Sequence, residues 1–206
     1  MRSGNSFPPY RGKRALDLSV LVAVAVPALL LGAACALAVK LTSKGPVFFC
    51  QKRVGMNGTP FGVVKFRTMV DGDNPIFPDA SRITSAGKWL RRLSLDELPQ
   101  LINVARGEMS VVGPRPTLQY QVDRYDDQQR RRLCVRPGLT GLAQIRGRNS
   151  LSWARRIEFD VEYVQTQSFW LDIQILFGTV RVLLSGEGAE GHPENDPLAT
   201  PDGTES

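Results

Sequence analysis

VLVAVAVPALLLGAACALAV, residues Val20 to Val39, runs for twenty residues without a charge or a hydroxyl. A helix of about 20 apolar residues is the length that crosses the hydrocarbon layer of a bilayer. Three readings compete for the segment. It is a simple span, or a re-entrant helix that enters the membrane and returns to the same face, or a signal peptide. The last rests on Ala36-Leu37-Ala38, which resembles a cleavage site behind a basic amino-terminal region. The run is long for the apolar region of a signal peptide, and cleavage would discard the anchor. Pro27 lies inside the run, where it removes a backbone hydrogen bond and can bend the helix. Arg11, Lys13 and Arg14 precede the run, and Lys40 and Lys44 follow it. Cations at both ends give no clear orientation for a span and suit two cytoplasmic ends. On these residues alone, span and re-entrant helix both stay open.

Gly45-Pro46 ends the apolar segment. Val47 to Val54 and Phe61 to Phe66 read as strands joined by GMNGTP, which predicts a β-hairpin with a longer loop. Lys65 and Arg67 share one strand face at its exit, where they meet either an anion or solvent. Residues 71 to 80 read as loop, and Ser85 to Leu93 as a short basic helix. A helix after Pro99 reaches Ala105 and stops at Gly107, a residue suited to a C-cap. Asp123 to Leu133 predicts one polar helix ending in Arg130-Arg131-Arg132, a solvated face or a cationic face against lipid headgroups. Gly147-Arg148-Asn149 opens the next helix, on which Trp153, Ile157, Val161 and Val164 mark a core stripe at helical spacing. Asp160 lies between that stripe and the polar face. Trp170 to Leu184 is apolar nearly all round, as in a helix that is buried or lies at a membrane interface.

SLDELPQLINV, Ser94 to Val104, is where the chemistry is placed. Asp96 and Glu97 stand side by side behind Arg91 and Arg92. A carboxylate acts as nucleophile, base or metal ligand, and basic neighbours keep it ionised. The plainer alternative is a capping box, because Ser94 and Glu97 have that spacing. Pro99 strains it. With Ser94 as N-cap, Pro99 would be the fifth helical residue, where it breaks a backbone bond. A helix starting nearer Pro99 leaves the acidic pair on its entry loop. Downstream, Pro114 and Pro116 fix the backbone on both sides of Arg115, whose guanidinium suits bidentate phosphate binding. A rigid loop that only positions the chain is the alternative there.

The net charge is +6, but residues 186 to 206 hold six acids and no Lys or Arg. The other 185 residues carry 26 basic and 14 acidic side chains, a net of +12. A body that basic expects an anionic partner. Cys35, Cys50 and Cys134 are scattered, with no CxxC pair, so neither a zinc site nor a disulfide framework is expected. The one histidine, His192, lies in the acidic tail, which removes imidazole catalysis from the body and puts the weight on carboxylates and lysines.

Six motifs then occur in order: KRALD at 13–17, KFRTM at 65–69, SLDELPQ at 94–100, GPRP at 113–116, RPGLTG at 136–141 and GRN at 147–149. Together, over residues 11 to 185, they resemble the bacterial sugar transferases, the monotopic phosphoglycosyl transferases. The likeness is to the small members similar to bacillosamine-phosphate transferase. The resemblance implies transfer of a phosphosugar from a UDP-sugar to a polyprenyl phosphate such as undecaprenyl phosphate. The products are polyprenyl-diphosphate-sugar and UMP, in the first membrane step of glycoconjugate or exopolysaccharide assembly. It implies a magnesium requirement, a re-entrant helix broken at Pro27, and a site on the cytoplasmic face of the bacterial inner membrane. It makes Asp96 the nucleophile, forming an aspartyl-phosphosugar, with Glu97 completing the dyad. One departure is Val26, where the family often has a serine before the break proline.

The residues agree with that picture. A polyprenyl phosphate is an anionic head on an apolar tail, so its enzyme needs a basic site at a membrane surface. Adjacent helical residues point about 100° apart, which suits Asp96 and Glu97 to separate tasks. Asp96 attacks phosphorus and binds magnesium; Glu97 is a base or an orienting group. Arg115 is the first choice to clamp phosphate, followed by Lys65 and Arg136, then Arg148 and Asp160. The expected fold is α+β, a mostly helical membrane-associated domain with a small β-hairpin and an N-terminal re-entrant helix. Its parts are a flexible arm at 1–10, the membrane helix at 11–40, the catalytic domain at 41–186 and a disordered acidic tail at 187–206. A homodimer is left open. Two rival classes remain. One is a membrane-tethered basic binding module for nucleic acid or anionic lipid, disfavoured for nucleic acid by the lack of a recognisable motif. The other is a phosphohydrolase working through Asp96.

Overall fold

The computed structural model describes residues 7–70, 80–147 and 150–185. Arg148, the first six residues of the arm and the acidic tail fall outside them. The fold is α+β and mostly helical, as expected. Helix α1 (Lys13–Thr42) is followed by the hairpin strands β1 (Phe48–Val54) and β2 (Pro60–Phe66), then α2 (Ser85–Arg92) and α3 (Leu101–Arg106). Strand β3 (Ser110–Val112), α4 (Gln119–Asp123), β4 (Gly138–Thr140), α5 (Leu142–Arg146), α6 (Trp153–Thr166) and α7 (Phe169–Ser185) complete it.

The 30 residues of α1 form one helical element with Pro27 inside it. At 1.5 Å per residue it is about 45 Å long, apolar enough and long enough to cross a membrane. Val22, Val26, Leu29 and Leu30 in its middle are 68–73% exposed. Its two ends, by contrast, are both docked on the body. At the start, Lys13 pairs with Asp172 of α7 at 2.6 Å and donates to the Val112 carbonyl at 2.8 Å. One turn on, Asp17 accepts from the Ser110 hydroxyl and the Val111 amide. Arg14 donates to the Val104 and Ala105 carbonyls in the last turn of α3, where a cation is favoured. At the far end, buried Cys35 and Val39 pack with Phe66 and Leu90. Arg67 holds the exit, donating to the Lys44 carbonyl at 2.6 Å and to both the carbonyl and hydroxyl of Ser43.

The predicted hairpin is present, with Phe49 opposite Lys65 and Cys50 opposite Val64. A second, parallel ladder joins β3 to β4, pairing Ser110 with Gly138 and Val112 with Thr140. It needs glycine. A Cβ on Gly138 would lie 2.1 Å from the Gly113 nitrogen, so no other residue allows the two backbones to meet there. The main core gathers around this ladder, with Val104, Met109, Val111 and Val112 packed against Tyr163 and Val164 of α6 and Ile175 of α7.

One helix expected from the sequence is two. Residues 119–123 form α4 and residues 129–134 a separate 3-10 turn. Asp126 restarts the chain: its carboxylate accepts from the Gln129 amide, and its own amide donates to the Gln129 side chain. That reciprocal pair satisfies free donors at a new helical start. The expectation that Arg130-Arg131-Arg132 forms a solvated or lipid-facing run fails at Arg132, which is 3% exposed.

Candidate active site

Ser94 has φ 55°, in the left-handed region, and its side chain caps nothing. The capping-box reading of Ser94 and Glu97 therefore falls. Residues 95–100 wind as a 3-10 turn that carries Pro99, and α3 begins only after it. This resolves the strain that Pro99 puts on an α-helix from Ser94. With three residues per turn, neighbouring side chains diverge by about 120°. Asp96 and Glu97 are thus aimed apart by the backbone itself.

Glu97 points at two cations. Lys65 Nζ lies 2.7 Å from its Oε1, and Arg115 donates to both carboxylate oxygens, at 2.5 and 3.2 Å. Strand β2 supplies Lys65, and the Pro-flanked loop after β3 supplies Arg115. Asn103 of α3 locks the first of these placements. It is fully buried, accepts from the Val64 amide and donates to the Gly62 carbonyl and to Glu108. Asp96 has no ion pair or hydrogen bond with any other described residue.

The two carboxyls are driven in opposite directions. Burial alone would raise Glu97, but the charges of Arg115 and Lys65 and their hydrogen bonds overcome it and hold it well below the usual carboxylate range. Asp96 is raised, first by burial and then by repulsion from Glu97, while Lys65, Arg115 and Arg91 pull the other way. The site therefore holds one locked anion and, beside it, a more basic carboxylate with no side-chain hydrogen bond or ion pair among the described residues.

Of the other residues expected in the site, Arg136 is half-buried and has no side-chain hydrogen bond or ion pair among the described residues. Its loop lies against the Arg115 loop, since Gly138 N donates to the Pro114 carbonyl at 2.8 Å. Asp160, expected among the substrate ligands, is 1% exposed and paired with Arg132, so its carboxylate has no open face. Arg67 shares a strand face with Lys65 but serves the end of α1 instead. Arg148 lies outside the described residues. The sequence reading missed Arg53. Its guanidinium is pushed down to about 10, by burial first and then by Arg115, so it adds a third cation beside the Glu97–Arg115 pair. Its position on β1, on the same strand face as Gln51, is the only signal it leaves in the sequence.

Among the described residues no group of three His, Cys, Asp or Glu side chains could hold a metal ion unaided. Magnesium needs less, since it is commonly bound by one or two carboxylates together with substrate phosphates and water. Asp96 is the unpaired carboxylate that fits this requirement. Glu97, already held by two cations, does not.

The family described as bacterial sugar transferase matches residues 9–186, and the chain belongs to that family. It is 49% identical over 155 residues to the sugar transferase EpsL of Bacillus subtilis, covering 74% of this chain and 77% of that one. It is 44% identical over 193 residues to the UDP-glucose:undecaprenyl-phosphate glucose-1-phosphate transferase of Caulobacter vibrioides, covering 86% of this chain and 71% of the other. A third relative, the undecaprenyl-phosphate glucose phosphotransferase of Komagataeibacter xylinus, is 45% identical over 192 residues, and the match spans only 35% of its length. The protein is therefore a transferase.

The opposed carboxyls give a direct test. In a carboxyl-resolved NMR titration Glu97 is expected to stay ionised at pH values where ordinary glutamates are protonated. Arg115→Gln removes the leading attractive charge and should bring its midpoint up. An unchanged midpoint in that variant would mean that Arg115 is not what holds Glu97.

Proposed function

We propose that the enzyme transfers a phosphosugar from a UDP-sugar to a polyprenyl phosphate, undecaprenyl phosphate in a bacterial membrane, giving polyprenyl-diphosphate-sugar and UMP. The observation that carries this reading is the difference between the neighbouring carboxylates: Glu97 is bound to Lys65 and Arg115, while the Asp96 side chain has no hydrogen bond or ion pair among the described residues. A carboxylate is ionised at neutral pH and needs no base to attack. An Asp96 oxygen attacks the phosphorus that bears the sugar, and the bond from that phosphorus to the bridging oxygen breaks. UMP leaves with the bridging oxygen and its electron pair. An oxygen of the polyprenyl phosphate then attacks the same phosphorus and releases Asp96. Glu97, strongly acidic, is a poor proton acceptor, and its role here is to hold Lys65 and Arg115 in place. Those two cations, with Arg136 and Arg53, bind the diphosphate. Asp96, together with substrate phosphate, would hold magnesium, which would supply positive charge to offset that of the leaving UMP.

The apolar acceptor fits the apolar helix. Leaving a large aliphatic side chain in water forfeits roughly 1.5–3 kcal/mol, so Val22, Val26, Leu29, Leu30, Leu37 and Leu41 together forfeit on the order of 10 kcal/mol unless lipid covers them. Both ends of α1 are docked on one body, the first through the Lys13–Asp172 pair and hydrogen bonds and the second through apolar packing and Arg67, which supports a re-entrant helix with both ends on the cytoplasmic face. A straight crossing would separate those ends by the ~30 Å hydrocarbon layer. The relatives' names, with undecaprenyl phosphate as partner, support the acceptor and a place in exopolysaccharide or related glycoconjugate assembly.

Membranes carrying the protein, undecaprenyl phosphate, magnesium and a panel of UDP-sugars should release UMP with at least one sugar. Asp96→Asn should lower that release by roughly a thousand-fold or more. Release of inorganic phosphate with water as acceptor, and no lipid product, would replace transfer by hydrolysis. For the topology, single cysteines at Ser3 and Lys44 in a cysteine-free background should both resist an impermeant thiol reagent in intact cells. Labelling of one from outside and protection of the other would show a span.

A further inference from the structure

The Arg115 loop is held in an unusual way. Pro114 and Pro116 have no amide hydrogen, so at those two positions only the carbonyl can anchor the backbone. Three successive carbonyls are in fact engaged. Gly138 N donates to that of Pro114 at 2.8 Å, Arg132 Nη2 to that of Arg115 at 2.9 Å, and Arg53 Nη1 to that of Pro116 at 3.5 Å. The middle one is the carbonyl of the residue whose guanidinium clamps Glu97, and its donor is a buried charge.

Arg132 sits in the 3-10 turn of residues 129–134 and is 3% exposed. Its Nη1 donates to the Tyr125 hydroxyl at 2.6 Å, and its guanidinium lies 5.6 Å from that ring's centroid. Its Nη2 is shared between the Arg115 carbonyl and Asp160 of α6. Stability alone does not call for such a pair, because well-packed apolar residues of similar volume commonly do as well. What apolar residues cannot do is present a donor to the Arg115 carbonyl.

We propose that Arg132 and Asp160 are positioning residues for Arg115. Asp160 orients the Arg132 fork, Arg132 fixes the Arg115 carbonyl, and the fixed backbone between two prolines aims the Arg115 guanidinium at Glu97 and at the substrate phosphate. Asp160 thereby acts on the reaction without touching substrate. The activity arm of the test rests on the phosphosugar-transfer reading above; the spectroscopic arm does not.

Two variants separate positioning from mere support of the fold. Arg132→Lys keeps a charge for Asp160 but cannot serve Asp160, Tyr125 and Arg115 at once. Arg132→Met with Asp160→Leu removes both charges and fills the space. Thermal unfolding of the second should stay near that of the wild type. In both, NMR exchange of the Arg115 guanidinium, slow when it is held, should become fast. The kcat/KM for UMP release should fall roughly a hundred-fold, the scale of a misplaced reacting group. Adding Arg115→Lys should then cost little more, since both changes remove the same function. Slow Arg115 exchange retained in a folded variant would overturn the proposal, as would full activity of the apolar pair or losses that simply add to those of Arg115→Lys. If the wild type releases no UMP yet its Arg115 exchange still depends on Arg132, the transfer reading fails and the positioning stands.

Discussion

Glu97 sits between Lys65 and Arg115, and the rest of the site depends on that contact. It uses up one of two adjacent carboxylates, and the other has no side-chain partner among the described residues. Two neighbouring acids with similar surroundings would share protons and cations and have no distinct roles. Here the 3-10 turn aims them apart, and the cations complete the division. The same contact joins three segments distant in sequence: β2 through Lys65, the entry to α3 through Glu97, and the loop after β3 through Arg115. Anything that moves one of these segments changes the charge state and the aim of the others.

The apolar helix α1 is part of that system. Lys13 and Asp17 bind β3 at Val112, Ser110 and Val111, immediately before the Arg115 loop. Arg67, two residues after Lys65, holds the other end of α1. Asp172 of α7 accepts from Lys13, Tyr10 and Tyr163 and is fully buried, so the first turn of α1 is tied to the last helix as well. A helix attached at both ends to the elements that carry Lys65 and Arg115 places the cleft at a fixed depth relative to its apolar middle. For a substrate with a phosphate head and a polyprenyl tail, that fixed depth is the geometric requirement.

Much of this was legible in the chain. The apolar run, the hairpin, α2, the Gly107 cap and the α6 stripe all follow from local patterns that tertiary contacts did not override. Asp96, Glu97, Lys65 and Arg115 were read as site residues from charge and from the rigid Pro-Arg-Pro loop. What was not legible depended on long-range pairing. The β3–β4 ladder is only three residues a side and parallel, too short for strand periodicity to register. Arg132 looked like part of a surface run because nothing local marks the last of three arginines as buried; its partners, Tyr125 and Asp160, come from different elements. Asp160 was singled out on its helix as a substrate ligand; its burial against Arg132 comes from a long-range pairing that helical spacing does not show. Ser94 failed as a cap because it lies in the left-handed region just past the end of α2, its amide bonded back to the Arg91 carbonyl, and a spacing rule does not see that.

In the proposed mechanism Asp96 forms a covalent bond to the phosphosugar. Intact-protein mass spectrometry of the magnesium-loaded enzyme, rapidly quenched after mixing with its UDP-sugar and no lipid acceptor, tests it directly. The account predicts an added sugar-phosphate mass that maps to Asp96, is absent in Asp96→Asn and disappears when undecaprenyl phosphate is added. An adduct on Glu97, or none at any quench time while the complete mixture turns over, would contradict it.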